Sequence, residues 1–171
     1  HWKSSCNHQM INHLKTEDWA LLTCLLCGAL LCTALFMEYF LGLAPCPLCM
    51  MQRIWLALVG LVAYLGLCHN PRWGIYPLVC GLCAVIGAAF SVRQLWLQSL
   101  PPEQAPSCGA PMSFLIETGN FGQLLTAMTS GTGDCASVSW SMLGLSIPGW
   151  LLLFFIVLAG CCVMQLRRGL G

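Results

Sequence analysis

Residues 45–67, PCPLCMMQRIWLALVGLVAYLGL, combine a cysteine motif with a long apolar run that carries one charge, Arg53. At about 1.5 Å per residue, the run is long enough to cross a hydrocarbon core of about 30 Å as a helix. Proline is tolerated in the first turn of a helix, so Pro47 predicts that the helix begins inside the motif. Cys46, Cys49 and Arg53 then share one helix face.

This motif predicts redox chemistry. The partial positive charge of a helix N-terminus stabilises a thiolate, the reactive form of cysteine, and Arg53 adds a fixed charge one turn beyond Cys49. The alternative is a chance CxxC pattern in a chain with thirteen cysteines. We prefer that alternative for the CxxC patterns at residues 24–27 and 80–83, which lie deep within apolar runs.

The composition is that of a membrane protein. Of the 171 residues, 58% are hydrophobic and 8% are charged, against about 25% charged in soluble domains. We therefore expect one unit, residues 1–171, mostly within the lipid bilayer. A net charge of +1 without a basic cluster gives no indication of nucleic-acid binding. Eight cysteines within apolar runs are interpreted as small apolar helix residues: Cys24, Cys27, Cys32, Cys68, Cys80, Cys83, Cys161 and Cys162.

The apolar runs predict an all-α fold, a four-helix transmembrane bundle. The predicted spans are residues 19–38, 47–67, 73–97 and 147–166. The first span could be a cleaved signal peptide, but its length and the following Pro45 argue against cleavage. Residues 1–18 form a polar tail, which we expect to be disordered. Its histidines (His1, His8 and His13) could instead bind a metal, and Met10 could be the true start.

Two loops, about residues 39–46 and 98–146, are predicted on the side opposite the termini. In the second loop, apolar residues recur at helical intervals and predict a short amphipathic helix on the membrane surface: Phe114, Leu115, Phe121, Leu124, Leu125 and Met128. The alternative is a helix packed on the other loop.

The distribution of basic residues predicts the orientation. With the termini inside, five basic residues lie inside and two, Arg53 and Arg93, lie outside, as the positive-inside rule requires. Both termini are then cytoplasmic. The outer side of a bacterial inner membrane, the periplasm, is oxidising.

Two cysteine pairs remain on that outer side: Cys46 with Cys49, and Cys108 with Cys135 in the long loop. The loop pair could be a structural disulfide. Two pairs on one side favour a relay instead, because a thiolate attacks a disulfide through a mixed disulfide and electrons pass only between pairs that can meet. The chain lacks GxGxxG and CxxCH motifs, so a quinone dissolved in the membrane is the natural final acceptor, and Arg53 is placed to stabilise negative charge on it.

Three stretches resemble the disulfide bond formation protein B (DsbB) family of bacterial inner-membrane thiol:quinone oxidoreductases. They are LCTALFMEYFLGLAPCPLCMMQR, RQLWLQSLPPEQAPSCG and GDCASVSWSMLGLSIPGWLLL. The resemblance runs from about Trp19 to Arg168. It implies reoxidation of a periplasmic thioredoxin-fold oxidase of the DsbA type, with ubiquinone or menaquinone as the electron acceptor.

The resemblance also implies roles for single residues. Cys108 would form the mixed disulfide with the oxidase, and Cys135 would be its loop partner, which then engages Cys46. Cys49 would be the thiolate that contacts the quinone, and Arg53 the arginine of the quinone site. Some members carry a histidine after the third span; residues 97–99 read Leu-Gln-Ser here, so no histidine role is transferred.

Three alternatives stay open at this level. The four outer cysteines could form a zinc site, although thiolates in an oxidising compartment and a single CxxC make this unfavourable. The chain could be a non-enzymatic four-helix membrane protein with a structural loop disulfide. It could also be a DsbB paralogue that serves a dedicated partner.

Overall fold

The fold was analysed in a computed structural model, which describes residues 15–70 and 72–169. Four long apolar helices are present, each long enough to cross a membrane: α1 (Thr16–Leu41), α2 (Pro47–His69), α3 (Ile75–Ser99) and α7 (Ile147–Gly169). The predicted all-α four-helix fold is confirmed. The helices run a few residues beyond most of the predicted bounds, so α1 and α2 are joined by only residues 42–46. The predicted tail, residues 1–18, lies outside the described residues except for its last four.

The four helices form a closed bundle in which α1 packs on α2, α2 on α3, α3 on α7, and α7 on α1. Small core residues let the helices approach closely, and the Phe155 ring lies where a Cβ on Gly87 would stand. The exterior of the bundle is apolar, as a surface in contact with lipid must be. Leucine and isoleucine side chains from all four helices are about half exposed or more, among them Leu25, Leu61, Leu82 and Ile156.

Most of the cysteines within the spans serve as packing residues. Cys27, Cys80, Cys83 and Cys162 belong to the main buried core, between larger side chains such as Phe155. Cys32 and Cys68 are exposed on the sides of α1 and α2. This placement agrees with their interpretation as small apolar helix residues.

The long loop contains more structure than the sequence predicted. Instead of one amphipathic helix there are two, α4 (Met112–Glu117) and α5 (Phe121–Ser130), because a turn at residues 118–120 interrupts the apolar periodicity. A single turn, α6 (Gly133–Ala136), follows.

A hairpin that was not predicted joins the loop to the last helix. Strands β1 (Ser141–Met142) and β2 (Leu145–Ser146) pair antiparallel directly before α7. The Ser146 hydroxyl donates to Gln98 Oε1 at 2.7 Å and so ties the hairpin to the end of α3. The loop is thereby held over the end of the bundle where α2 begins.

Candidate active site

The CxxC motif stands where α2 begins, as predicted. Cys46 is the N-cap residue, Pro47 opens the helix, and Cys49 lies in its first turn. The two Sγ atoms are 3.0 Å apart, and the Cys49 backbone N–H points to Cys46 Sγ at 3.4 Å. Both cysteines are half-buried, and no disulfide joins them in the structure.

A glutamine from α3 completes the surroundings of the pair. Gln94 Nε2 lies 3.3 Å from both Cys46 Sγ and Cys49 Sγ. Gln52 of α2 donates from Nε2 to Gln94 Oε1 at 3.0 Å. Both glutamines are buried. Sequence analysis missed them; their signal was two uncharged polar residues within spans that are otherwise apolar.

Cys135 is brought to the same place from the long loop. Its side chain is 0% exposed and packs with Leu48 and Leu97, and Cys46 packs against this small cluster. The contact arises because α6 and the preceding Gly131 lie over the start of α2 and the end of α3. Cys135 and Cys46 thus meet, as the relay hypothesis requires.

This contact sets the protonation of the two thiols. Hydrogen bonding from the Cys46 side chain lowers the pKa of Cys135 to about 6, and the backbone N–H of Leu48 at the helix start adds to the effect against the cost of burial. The same contact with Cys135 raises the pKa of Cys46 far above its usual range, with further contributions from Cys49 and from burial. In the reduced site Cys135 is therefore the more acidic thiol of the two, and Cys46 is the one that keeps its proton.

The low pKa predicts a titration that can be measured. In the reduced protein, the ultraviolet absorbance of thiolate should rise through about pH 6 as Cys135 ionises. Cys135→Ser should remove this step, and Cys46→Ala should move it to higher pH because the largest stabilising contact is lost. Cys32→Ser, an exposed cysteine of α1, should leave the step in place. A step that persists in Cys135→Ser would contradict the assignment.

Cys108 is separate from the buried thiols but lies on a neighbouring irregular segment of the long loop. It is exposed. Its segment is tied to the one that carries Cys135, because the Gly133 backbone N–H donates to the Ser107 carbonyl at 3.1 Å. An open groove adjoins Cys108, lined by Pro106, Gly109, Leu115, Thr126, Ala127 and Thr132.

Arg53 makes contacts that the sequence could not reveal. Its guanidinium forms an ion pair with Glu38 of α1 and also donates to the Ala34 carbonyl at 3.2 Å. Its side chain is 18% exposed and that of Glu38 is 28% exposed. The hydrogen bonds of Arg53 therefore go to α1, whereas the polar side-chain donor at the CxxC sulfurs is Gln94.

Within residues 15–70 and 72–169, no group of three or more histidine, cysteine, aspartate or glutamate side chains is arranged to hold a metal ion. Cys108 is exposed, whereas Cys135 is buried against Cys46. The histidines of the tail lie outside the described residues.

Comparison with known proteins agrees with this geometry. The family model described as "Disulfide bond formation protein DsbB" matches residues 16–165. The chain belongs to the DsbB family. This confirms the resemblance seen in the sequence, and with it the general function of a disulfide-forming oxidoreductase that spans the membrane.

Relatives in the DsbB family match over most of their length. The chain is 45% identical to disulfide bond formation protein B of Marinobacter nauticus over 159 residues, which cover 90% of this chain and 94% of that protein. It is 47% identical to the protein of the same name from Hahella chejuensis, covering 72% and 76% of the two chains. It is 44% identical to that of Stutzerimonas stutzeri, covering 81% and 87%.

Proposed function

We propose that this protein reoxidises a periplasmic dithiol oxidase of the thioredoxin-like, DsbA type and passes the electrons through its two cysteine pairs to a membrane quinone. The observation that carries the proposal is the contact between buried Cys135 and Cys46, with Cys108 exposed on the adjacent segment of the long loop. One end of the relay is thus open to a protein partner, while the other is enclosed by the bundle.

The relay begins at the loop pair, Cys108 and Cys135, in its disulfide form. A thiolate of the oxidase attacks exposed Cys108, a mixed disulfide forms, and Cys135 leaves as a thiolate. A thiol of lower pKa leaves faster. The backbone N–H groups of Leu48 and Thr132, which help to lower the pKa of Cys135, are available in this step, whereas the Cys46 thiol is still bonded to Cys49 and cannot donate. The oxidase could bind in the groove beside Cys108.

The second exchange takes place at the start of α2. The Cys135 thiolate attacks Cys46, so that the Cys46–Cys135 bond forms, the Cys46–Cys49 bond breaks and the electron pair leaves on Cys49. Cys46 is the sulfur that Cys135 already contacts in the structure. Cys49, three residues further into the helix, faces the membrane interior and Gln94.

A quinone would supply the two-electron acceptor for Cys49. Arg53, one turn beyond Cys49, can donate to a quinone oxygen, and its partial exposure leaves it within reach of a lipid-soluble molecule. On the same part of α1, the stacked rings of Phe36 and Phe40 are exposed to the lipid side. This apolar environment with one cation suits a quinone head group.

The proposed orientation follows from the charges. Cytoplasmic termini place the beginning of α2 and the long loop in the periplasm of a bacterial inner membrane, where an oxidising environment maintains disulfides. The direct test of the function is whether the purified protein reduces a quinone only when a reduced dithiol oxidase is supplied.

Arg53 and Glu38 allow a matched test of the quinone site. Arg53→Gln should raise the KM for quinone about tenfold or more, as expected for loss of a hydrogen bond from a charged donor. Glu38→Gln breaks the same ion pair but keeps the guanidinium, so its KM should change much less. Steady-state quinone reduction at varied quinone concentration measures both. Equal effects would show that the ion pair acts only in holding α1 against α2.

A further inference from the structure

The amide pair of Gln52 and Gln94 has a geometry that packing alone does not require. Their exposed fractions are 0% and 3%, and they lie on different helices, α2 and α3. The Gln94 amide nitrogen carries two hydrogens and lies 3.3 Å from each sulfur of the CxxC pair. A single NH₂ group can therefore donate to either sulfur, whichever carries the negative charge.

The orientation of this amide is set by its neighbour. Gln52 Nε2 donates to Gln94 Oε1 at 3.0 Å, which fixes that oxygen as the acceptor and leaves the NH₂ group as the nearer atom to the sulfurs. Oε1 itself lies 3.6 Å from Cys49 Sγ, where it can accept from the thiol but not stabilise a thiolate. With the amide flipped, the Gln94 oxygen would take the position of the nitrogen, 3.3 Å from both sulfurs, and would repel a thiolate. The Gln52 bond therefore selects the rotamer that can stabilise negative charge.

Gln52 occupies this position at a cost to the fold. Its own Oε1 is buried and has no hydrogen-bond partner among the described residues. An unsatisfied buried oxygen destabilises a protein, and an apolar side chain of similar size would avoid it. The presence of an amide here points to a task at the site rather than to packing.

Arg53 does not donate a hydrogen bond to the CxxC sulfurs in the structure. Its hydrogen bonds go to Glu38 and Ala34 on α1. The donors at the sulfurs are the Cys49 backbone N–H, which points to Cys46 Sγ, the Cys46 thiol, which points to Cys49 Sγ, and the Gln94 amide. When Cys46 is bonded to Cys135 it has no thiol hydrogen, and Gln94 is then the side-chain donor to the Cys49 thiolate among the described residues.

We propose that Gln94 is a further catalytic residue of the disulfide exchange, whose amide N–H groups stabilise the departing CxxC sulfur, and that Gln52 is its positioning residue. This rests on the function proposed above. As the Cys135 thiolate bonds to Cys46 and the Cys46–Cys49 bond breaks, the negative charge moves to Cys49, where the Gln94 N–H already lies within hydrogen-bonding distance.

The test uses neither partner nor quinone. In a Cys108→Ser/Cys135→Ser background, the full chain is reduced with a small dithiol, and thiolate absorbance is followed against pH; Cys46 is then the titratable group that faces Cys49. Gln94→Leu should reduce the fraction of the CxxC pair present as thiolate at a given pH about tenfold. This corresponds to an upward shift of about one pH unit in the midpoint of the titration of that pair. Gln52→Leu should shift the midpoint the same way by less. Gln98→Leu, on the same helix but bonded to Ser146, should leave the midpoint unchanged.

Gln94→Glu covers the case in which leucine disrupts the fold. It keeps the side-chain shape, removes the donor and adds negative charge, so its midpoint should rise at least as far. A folded Gln94→Leu or Gln94→Glu protein with the wild-type midpoint would overturn the proposal. A shifted midpoint together with absent quinone turnover would support the role of Gln94 and refute the proposed function alone.

Discussion

Cys135→Ser is expected to stop turnover and to trap a covalent complex with the oxidase through Cys108. In this variant Cys108 is a free thiol, so the complex forms with the oxidised form of the oxidase: the Cys108 thiolate attacks the oxidase disulfide, a mixed disulfide forms, and the electron pair leaves on the second cysteine of the oxidase. No Cys135 thiol is present to resolve this mixed disulfide, and no nucleophile reaches Cys46. Quinone reduction should fall by about four orders of magnitude or more, as for loss of a catalytic nucleophile. The trapped species should appear on a non-reducing gel and disappear on addition of a reductant.

The identity of the protein trapped in that complex distinguishes a general oxidase from a dedicated partner. A general periplasmic oxidase in the trapped band would agree with the proposed function, whereas a different thioredoxin-fold protein would identify a dedicated partner. Cys32→Ser, which changes an exposed cysteine of α1, is the control and should turn over normally. Turnover at the wild-type rate in Cys135→Ser would remove Cys135 from the relay.

Gly133→Ala is expected to slow the relay without disturbing the helical bundle. A Cβ at Gly133 would stand 2.5 Å from the Pro106 carbonyl oxygen and 3.0 Å from the Cys108 backbone nitrogen. Backbone atoms cannot rotate away as a side chain can, so the segment that carries Cys108 must move. Cys135, two residues after Gly133, would then lose its alignment with Cys108.

The expected loss is about tenfold to a hundredfold in kcat with the oxidase, because small misplacements of reacting groups have effects of this size. Oxidation of a small dithiol directly by the CxxC pair should be unchanged, which separates the effect from unfolding. Gly160→Ala in α7 is the control, since a Cβ there meets nothing within 4 Å and the residue lies away from the long loop. Normal kcat in Gly133→Ala would mean that residues 106–108 and 132–135 are not held together during exchange.

Local sequence determined what could be predicted most closely. Pro47 favours a helix start at its position, and α2 begins there with Cys46 as its N-cap. The four apolar runs could become only spanning helices, because in lipid every backbone polar group must be satisfied within its own segment. The fold class followed from these two facts.

Contacts between helices could not be predicted in the same way. The sequence placed Arg53 on the face of the CxxC motif, but its ion pair depends on which side of α1 presents Glu38. The meeting of Gln52 with Gln94 depends on the register between α2 and α3. A single amino-acid sequence carries no local signal for the Arg53–Glu38 contact or the Gln52–Gln94 contact, because both contacts arise from tertiary packing.

The most direct test of the relay is quinone reduction by the purified full chain in detergent or lipid, with a reduced thioredoxin-fold oxidase as electron donor. Ubiquinone and menaquinone are assayed separately, with wild type, Cys49→Ser and Cys108→Ser side by side. We predict turnover by the wild type with at least one quinone, and its loss in both variants. Absence of wild-type turnover with either quinone, in a protein with intact disulfides, would contradict the proposed function for that partner, as would undiminished turnover in Cys49→Ser.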